Sequence, residues 1–265
     1  MRALAAALLL LAPALPLRAD EARPPLLESV GIEQKLGERI PLDLVFRDEA
    51  GKPVRLGDLF ASKPTIVNLV YYRCPMLCTE VLNGLVASLD TLKLDVGKDF
   101  SVVTVSIDPK ETPQLASEKK AVYLKRYGRA GAAEGWRFLT GDAASISRLA
   151  DAVGFRYAYD AEADQFAHAA AIYVATPDGR LARYFYGIDY APRDLRLALV
   201  EASEGKIGTV ADKIVLFCYQ YDPATGKYGA TILGVMRVGG VVTVLLLGGF
   251  VLVMWRREAR SARAA

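Results

Sequence analysis

Two cysteines separated by three residues, Cys74 and Cys78, have the most reactive side chains in this sequence. They lie where a predicted buried strand ends and a predicted helix begins. If both are helical, the four-residue interval places them on one face of the helix. Unpaired N–H groups at a helix N-terminus stabilise a thiolate, so we expect a low pKa for Cys74, with Arg73 adding to the effect. Two cysteines on one face can share a metal ion or close into a disulfide. Thiolates are soft ligands, and among metal ions they favour Cu(I).

Two simpler interpretations of this pair stay open. Cysteine is often a small buried hydrophobic residue, and in an oxidising compartment two cysteines can form a purely structural disulfide. The interval also differs from the Cys-x-x-Cys spacing of thioredoxins. The wider loop suits metal ligation better than rapid disulfide exchange.

The single histidine, His168, excludes several kinds of metal site. Zinc fingers with two histidines, His-Glu-x-x-His proteases and copper centres with two imidazoles all need more than one histidine. A lone histidine is more often a surface or hydrogen-bonded residue than a ligand, and sequence spacing does not place it beside the cysteines. A zinc site with two cysteines and one histidine is also chemically possible. Three cysteines are too few for a disulfide-stapled small fold.

The elements that must position these residues are strands alternating with helices. The β-branched and aromatic run at residues 65–72 is typical of a buried strand, and apolar residues recur with helical spacing after Pro75. Further patterns predict a hairpin with strands at 42–46 and 54–56, a strand at 101–107, a helix around 115–124, a strand at 136–139, a helix at 143–153, a hairpin with strands at 169–175 and 181–185, and a helix at 192–204. This order predicts one α/β domain with a mixed sheet and an N-terminal hairpin.

Both ends of the chain carry apolar segments. Residues 1–19 combine one early positive charge, an apolar run and a small residue before a charged segment, which predicts a signal peptide cleaved near Ala19. An uncleaved N-terminal anchor is the alternative. Residues 238–255 are uncharged and apolar, which predicts a transmembrane helix; a buried C-terminal helix is the alternative. Four arginines in residues 256–265 then predict a basic cytoplasmic tail, with the soluble domain on the periplasmic or extracytoplasmic side of the cell membrane.

The formal net charge of +3 comes from the ends of the chain. Seven of the 33 basic residues, but only one of the 30 acidic residues, lie in residues 1–19 or 231–265. The remaining part of the chain is therefore slightly acidic. We expect a membrane and no nucleic acid among the partners.

Four motifs between residues 42 and 204 resemble, in the same order, motifs of the Sco/SenC family. Members of that family are thioredoxin-like copper chaperones for cytochrome c oxidase. They are Gly57-Asp58-Leu59, Cys74-Pro-Met-Leu-Cys78, Val105-Ser-Ile-Asp-Pro-Lys-Glu-Thr-Pro113 and His168 ahead of Tyr173-Val-Ala-Thr-Pro-Asp-Gly-Arg180. The resemblance implies a thioredoxin-like mixed sheet flanked by helices over residues 38–206. It also implies that Cys74, Cys78 and His168 bind one copper ion.

The sequence departs from the family pattern in three ways. Thr79 replaces the proline that usually follows the second cysteine, and Ala167 replaces the acidic residue that usually precedes the histidine. The missing acid removes a carboxylate that would orient the imidazole, a role for which Asp164 is the nearest substitute. Many relatives have an N-terminal membrane helix, whereas here the predicted anchor is C-terminal.

The function implied by the resemblance is that of a membrane-tethered protein that delivers copper to the oxidase subunit carrying the CuA site. The alternative is a thiol-disulfide oxidoreductase that reduces the cysteines of that copper site with Cys74 and Cys78 as a redox pair, so whether the chain is an enzyme stays open. A sensor or peroxidase-like thioredoxin relative has support from fold analogy only.

Two segments flank the predicted domain. Residues 20–37 are rich in Pro and Glu, and we expect them to be irregular. Residues 207–237 form a juxtamembrane segment that contains Cys218. This third cysteine is either an unreactive thiol in an aromatic cluster or a group with a redox or partner-docking role.

Overall fold

The computed structural model describes residues 29–60, 63–207, 221–222, 227–228 and 230–261. The strands are β1 (Gly31–Ile32), β2 (Val45–Arg47), β3 (Pro53–Arg55), β4 (Thr65–Val70), β5 (Ser101–Ser106), β6 (Trp136–Leu139), β7 (Phe155–Asp160), β8 (Gln165–His168), β9 (Ala171–Ala175), β10 (Leu181–Tyr186), β11 (Tyr221–Asp222) and β12 (Lys227–Tyr228). The helices are α1 (Leu77–Thr91), α2 (Pro113–Tyr127), α3 (Ala132–Gly135), α4 (Ala143–Ala152), α5 (Pro192–Ser203) and α6 (Ala230–Ser261). The predicted signal peptide and Cys218 lie outside the described residues.

A five-stranded sheet in the order β10-β9-β4-β5-β6 forms the centre of the domain. The strands β4, β5 and β6 are parallel, whereas β9 is antiparallel to both β4 and β10. All six residues of β4 and all six of β5 are buried, as expected for strands covered on both faces. The thioredoxin-like mixed sheet flanked by helices that the sequence predicts is therefore confirmed.

Helices pack on this sheet and on one another. Helix α1 packs against α2 and α5, and α2 also packs against β6. Helix α2 begins where Thr112 accepts a hydrogen bond from the Leu115 N–H and Pro113 takes the first helical position. Gly84 lets the loop before α5 lie against α1, since a Cβ atom there would be 1.7 Å from the Ile188 carbonyl oxygen.

A second sheet of three strands, β1-β7-β8, lies outside the central one. The sequence pattern predicts neither β7 nor β8, and the expectation that residues 20–37 are irregular is wrong at Gly31–Ile32, which form β1. Gly31 and Ile32 instead pair with Arg156 and Phe155. Strand β8 is antiparallel to β7 and places His168 opposite Tyr157.

The predicted N-terminal hairpin is present as β2 and β3, and its first strand is shorter than the pattern indicates. Glu49 at its turn is largely buried and forms ion pairs with Lys120 of α2 at 2.9 Å and Arg137 of β6 at 3.3 Å. It also accepts a hydrogen bond from the Phe138 N–H at 2.8 Å. The hairpin is thus tied to the far edge of the central sheet.

The C-terminal helix α6 contains the predicted membrane segment. Its stretch Val238–Arg256 is 19 residues long and is apolar enough to cross a bilayer, and its side chains pack against nothing else in the described chain. The helix also extends through the arginines at positions 256, 257 and 260 to Ser261.

Candidate metal centre

The Cys74–Cys78 loop follows the central strand β4. The strand ends at Val70, two residues earlier than the sequence pattern indicates, and the Cys74 N–H donates to the Tyr71 carbonyl at 3.3 Å in the turn that follows. Helix α1 begins at Leu77, with Met76 as its N-cap residue. Cys78 is therefore in the first helical turn, whereas Cys74 precedes the helix. The two cysteines do not share a helix face, and the turn itself brings them together.

His168 approaches the cysteines from the second sheet. It is the last residue of β8, and its Nε2 lies 3.1 Å from the Cys78 Sγ. Its Nδ1 lies 2.8 Å from the Ala169 carbonyl oxygen. Because a carbonyl only accepts hydrogen bonds, Nδ1 carries a proton and Nε2 is the ring nitrogen that faces the sulfur.

The Ala169 carbonyl performs the orienting role that the sequence analysis assigns to a nearby carboxylate. Asp164, the expected substitute for the missing acid at Ala167, instead accepts a hydrogen bond from the Tyr159 hydroxyl at 2.5 Å. A backbone carbonyl fixes the tautomer and the ring plane as a carboxylate does. The lack of an acid at position 167 therefore leaves the imidazole oriented.

The three donor atoms form one group. The sulfurs of Cys74 and Cys78 and a ring nitrogen of His168 all lie within 4.8 Å of one another. Donors bound to one ion at about 2.0–2.3 Å stand about 3.5–4 Å apart in a trigonal arrangement, so small movements bring these atoms onto a metal. Two sulfurs and one imidazole nitrogen make a soft donor set that suits Cu(I) or Zn²⁺ and disfavours hard cations.

The two thiols differ in acidity. The hydrogen bond with the Cys78 side chain is the main cause that lowers the pKa of Cys74 to about 3, with further contributions from His168 and from the N–H groups of Cys78 and Met76. Burial, followed by the interaction with Cys74, raises the pKa of Cys78. The low pKa expected for Cys74 is thus supported, although the neighbouring thiol rather than Arg73 is its main source. The two opposite pKa shifts favour a thiolate at Cys74 and a protonated thiol at Cys78.

Glu111 is a residue of this site that the sequence analysis does not single out. Its side chain is buried, and its two oxygens accept hydrogen bonds from the N–H groups of Tyr72 and Arg73, each at 2.7 Å. The Ser106 hydroxyl donates to it at 2.6 Å. Burial raises the pKa of Glu111. This carboxylate holds the backbone immediately before Cys74 against the end of β5.

Aromatic rings surround the imidazole. The ring centroids of Tyr71 and Phe155 lie 5.9 Å and 5.8 Å from that of His168, and Phe166 lies 5.5 Å from Tyr71. Such contacts exclude water and hold the ring in place. Tyr71 also donates its N–H to the Cys78 sulfur at 3.3 Å, so it contacts both cysteine and histidine sides of the centre.

The sequence model of the SCO1/SenC family matches residues 34–200 of this chain, which include all three donors. The chain belongs to the SCO1/SenC family. A comparison with curated proteins gives no match.

Solved structures include similar proteins. A putative electron transfer protein from Aquifex aeolicus is 28% identical with a TM-score of 0.56, and the alignment covers 65% of this chain and 96% of that protein. Arabidopsis thaliana ScoI with copper bound is 23% identical with a TM-score of 0.50, over 64% of this chain and 99% of that one. A SCO1/SenC family lipoprotein from Bacillus anthracis is 18% identical with a TM-score of 0.50, over 64% and 99%. The last two show a shared fold.

Proposed function

We propose that this family member binds one copper ion through Cys74, Cys78 and His168 and delivers it to the CuA site during assembly of cytochrome c oxidase. The observation that carries the proposal is the convergence of two sulfurs and an oriented imidazole nitrogen within 4.8 Å. Membership of a family that includes a protein with copper bound favours copper over zinc.

The residue roles follow from the local contacts. The Cys74 thiolate offers a ligand that needs no deprotonation, and Cys78 loses its proton when the metal binds. His168 contributes its Nε2 lone pair because the Ala169 carbonyl holds the proton on Nδ1. Glu111 and Tyr71 keep the loop and the imidazole in place. A three-coordinate soft site of this kind suits a protein that must pass Cu(I) on by ligand exchange.

A copper titration of the full chain in detergent micelles tests the proposal. Wild-type protein should hold about one copper per chain, and Cys74→Ser, Cys78→Ser and His168→Ala should each weaken Cu(I) binding by at least about tenfold. Cys218→Ser is the matched cysteine control and should retain the metal. Unchanged copper binding in Cys74→Ser would contradict the proposed ligand set.

The second candidate is a thiol-disulfide oxidoreductase that reduces the cysteines of the same copper site. The acidic Cys74 beside the protonated Cys78 favours it, because a thiolate is the attacking group in exchange. In that reaction Cys74 and Cys78 become one disulfide and two electrons pass to the target disulfide; one proton for the new target thiols comes from Cys78 and the other from solvent. Both cysteines would be essential and His168 dispensable. A reduction potential too high to reduce the target would exclude this function.

The location of the domain is part of the proposal. We expect α6 to cross the cell membrane once through residues 238–255, with the arginine-rich end in the cytoplasm and residues 38–206 on the periplasmic or extracytoplasmic side. Periplasmic and cytoplasmic reporter proteins fused after residue 265 test this topology. Only a reporter that works in the cytoplasm should be active.

A further inference from the structure

The two sulfurs of the metal centre lie below the surface. The side chains of Cys74 and Cys78 belong to buried residues that are only 7% and 2% exposed, and rings of Tyr71 and Phe155 lie against His168. An ion bound to them has little contact with solvent. To leave or enter by ligand exchange, the copper needs a soft donor nearer to the surface than these two sulfurs.

Met76 stands at the position where such a donor is needed. It lies midway between the two cysteines, and its side chain is 71% exposed although it is apolar. Its backbone is fixed on both sides, because its carbonyl accepts from the Glu80 N–H at 3.1 Å and its N–H interacts with the Cys74 sulfur. The thioether is therefore attached to a hydrogen-bonded part of the loop, and the side chain lies in solvent.

The chemistry of the thioether fits this position. It is a soft, neutral donor that prefers Cu(I), and it carries no proton that must leave before it binds a metal. It binds more weakly than a thiolate, as a transient ligand must. Among the side chains that the structure describes, the one other methionine is Met254, in the apolar segment of α6.

We propose that the Met76 thioether is an outward-facing fourth donor that receives Cu(I) from the buried Cys74, Cys78 and His168 set on its way out and passes it inward during loading. In the exchange step, a bond from copper to the Cys74 sulfur breaks as the bond to the Met76 sulfur forms. The electron pair stays on Cys74, and the copper remains Cu(I), so no oxidant or reductant takes part. This inference rests on the proposed function, since it concerns the same ion.

The test compares exchange rates with binding at equilibrium. Full-length protein in detergent micelles is loaded with Cu(I), and the removal of the ion by bicinchoninate is followed by stopped-flow absorbance; uptake from the Cu(I)-bicinchoninate complex is followed in the same way. Met76→Leu keeps an apolar side chain of similar size but lacks the sulfur. We expect removal and uptake both to slow about tenfold, which corresponds to a barrier about 1.4 kcal/mol higher. The stoichiometry and the dissociation constant should stay unchanged.

Control variants separate the effect of the sulfur from the effects of side-chain size, position in the chain and folding. Met254→Leu makes the same substitution far from the loop and should leave both rates as in wild type. Met76→Ala should slow exchange as much as Met76→Leu, since both lack the thioether. The melting temperature of metal-free Met76→Leu should match wild type because the side chain is exposed.

Three results would overturn the inference. Wild-type rates in Met76→Leu would show that the sulfur is not used, and slow exchange in Met76→Ala alone would show that only apolar bulk matters. Faster removal with unchanged uptake, and therefore a weaker dissociation constant, would indicate a structural role. If wild-type protein fails to bind Cu(I) at all, the proposed function fails instead, so the two failures are distinguishable.

Discussion

The Cys74–Cys78 loop and the β7–β8 hairpin supply donors to one centre, but the protein holds them in different ways. The loop joins α1 to β4, a strand whose six residues are all buried. In β7 and β8, by contrast, only Phe155 is buried, and His168 itself is partly exposed. The hairpin contacts the loop mainly through rings, with Phe166 against Tyr71 at 5.5 Å.

The difference indicates that the two sides of the centre have different local stability. Segments with few buried apolar contacts open at lower free energy than core strands. We therefore expect the histidine side to open while the cysteine side stays formed. A metal bound to all three donors joins the two regions, so binding should protect the hairpin more than the sheet.

The largest expected effect is a difference in the free energy of unfolding between substitutions on the cysteine side and on the histidine side of the centre. Leu85→Ala removes a fully buried side chain of α1 and should lower the free energy of unfolding of the domain by about 2–5 kcal/mol. Phe166→Ala removes a partly buried ring and should cost only about 1–2 kcal/mol. Thermal denaturation and amide hydrogen exchange check both values. Exchange should accelerate in β8 and not in β4 for Phe166→Ala; acceleration in both strands would mean that the regions open as one unit.

A smaller effect should appear when only the cysteine side is disturbed. Glu111→Gln replaces one carboxylate oxygen by an NH₂ group, which faces a backbone N–H instead of accepting from it. We expect a loss of about 1–3 kcal/mol in the free energy of unfolding and faster exchange of the Tyr72 and Arg73 amides. The matched control is Glu118→Gln on the exposed side of α2. Normal protection of the two amides in Glu111→Gln would refute the positioning role.

The last expected effect is the pH dependence that Cys74 contributes to the free energy of unfolding. Its folded-state pKa of about 3 lies below the ordinary value of 9.0, so the folded protein keeps the thiolate while the unfolded chain binds a proton between these values. Stability from this group is complete above pH 9 and is lost as the pH falls towards 3. Ultraviolet thiolate absorbance of the metal-free, reduced protein should persist at neutral pH in wild type and disappear in Cys74→Ser. An equal absorbance in both proteins would contradict the assignment.

The cysteine side of the centre could be predicted from the sequence because its signals are local. The apolar run that forms β4, the helical spacing in α1 and the interval between Cys74 and Cys78 all lie within about one turn or strand of each other. Even here the pattern misplaces Cys74 in the helix, since the hydrogen bond from its N–H to Tyr71 becomes visible only in three dimensions.

The histidine side could not be predicted in the same way. His168 and Cys78 are 90 positions apart in the sequence. The turn between β7 and β8 contains neither Gly nor Pro, so the sequence has no strong turn signal there. The contacts of Glu111 with Tyr72 and Arg73 likewise span 39 and 38 positions. Only the family resemblance connected His168 with the cysteines before the structure placed them together.

The hydrogen bond from His168 to the Ala169 carbonyl has a consequence for how this centre varies in evolution. A side-chain carboxylate is lost by a single substitution, whereas every amino acid at position 169 supplies the same carbonyl. A substitution at position 169 therefore leaves the acceptor that orients the imidazole in place. Neighbouring positions such as Ala167 are free to drift, and a search for an acidic partner would overlook a histidine that is already correctly held.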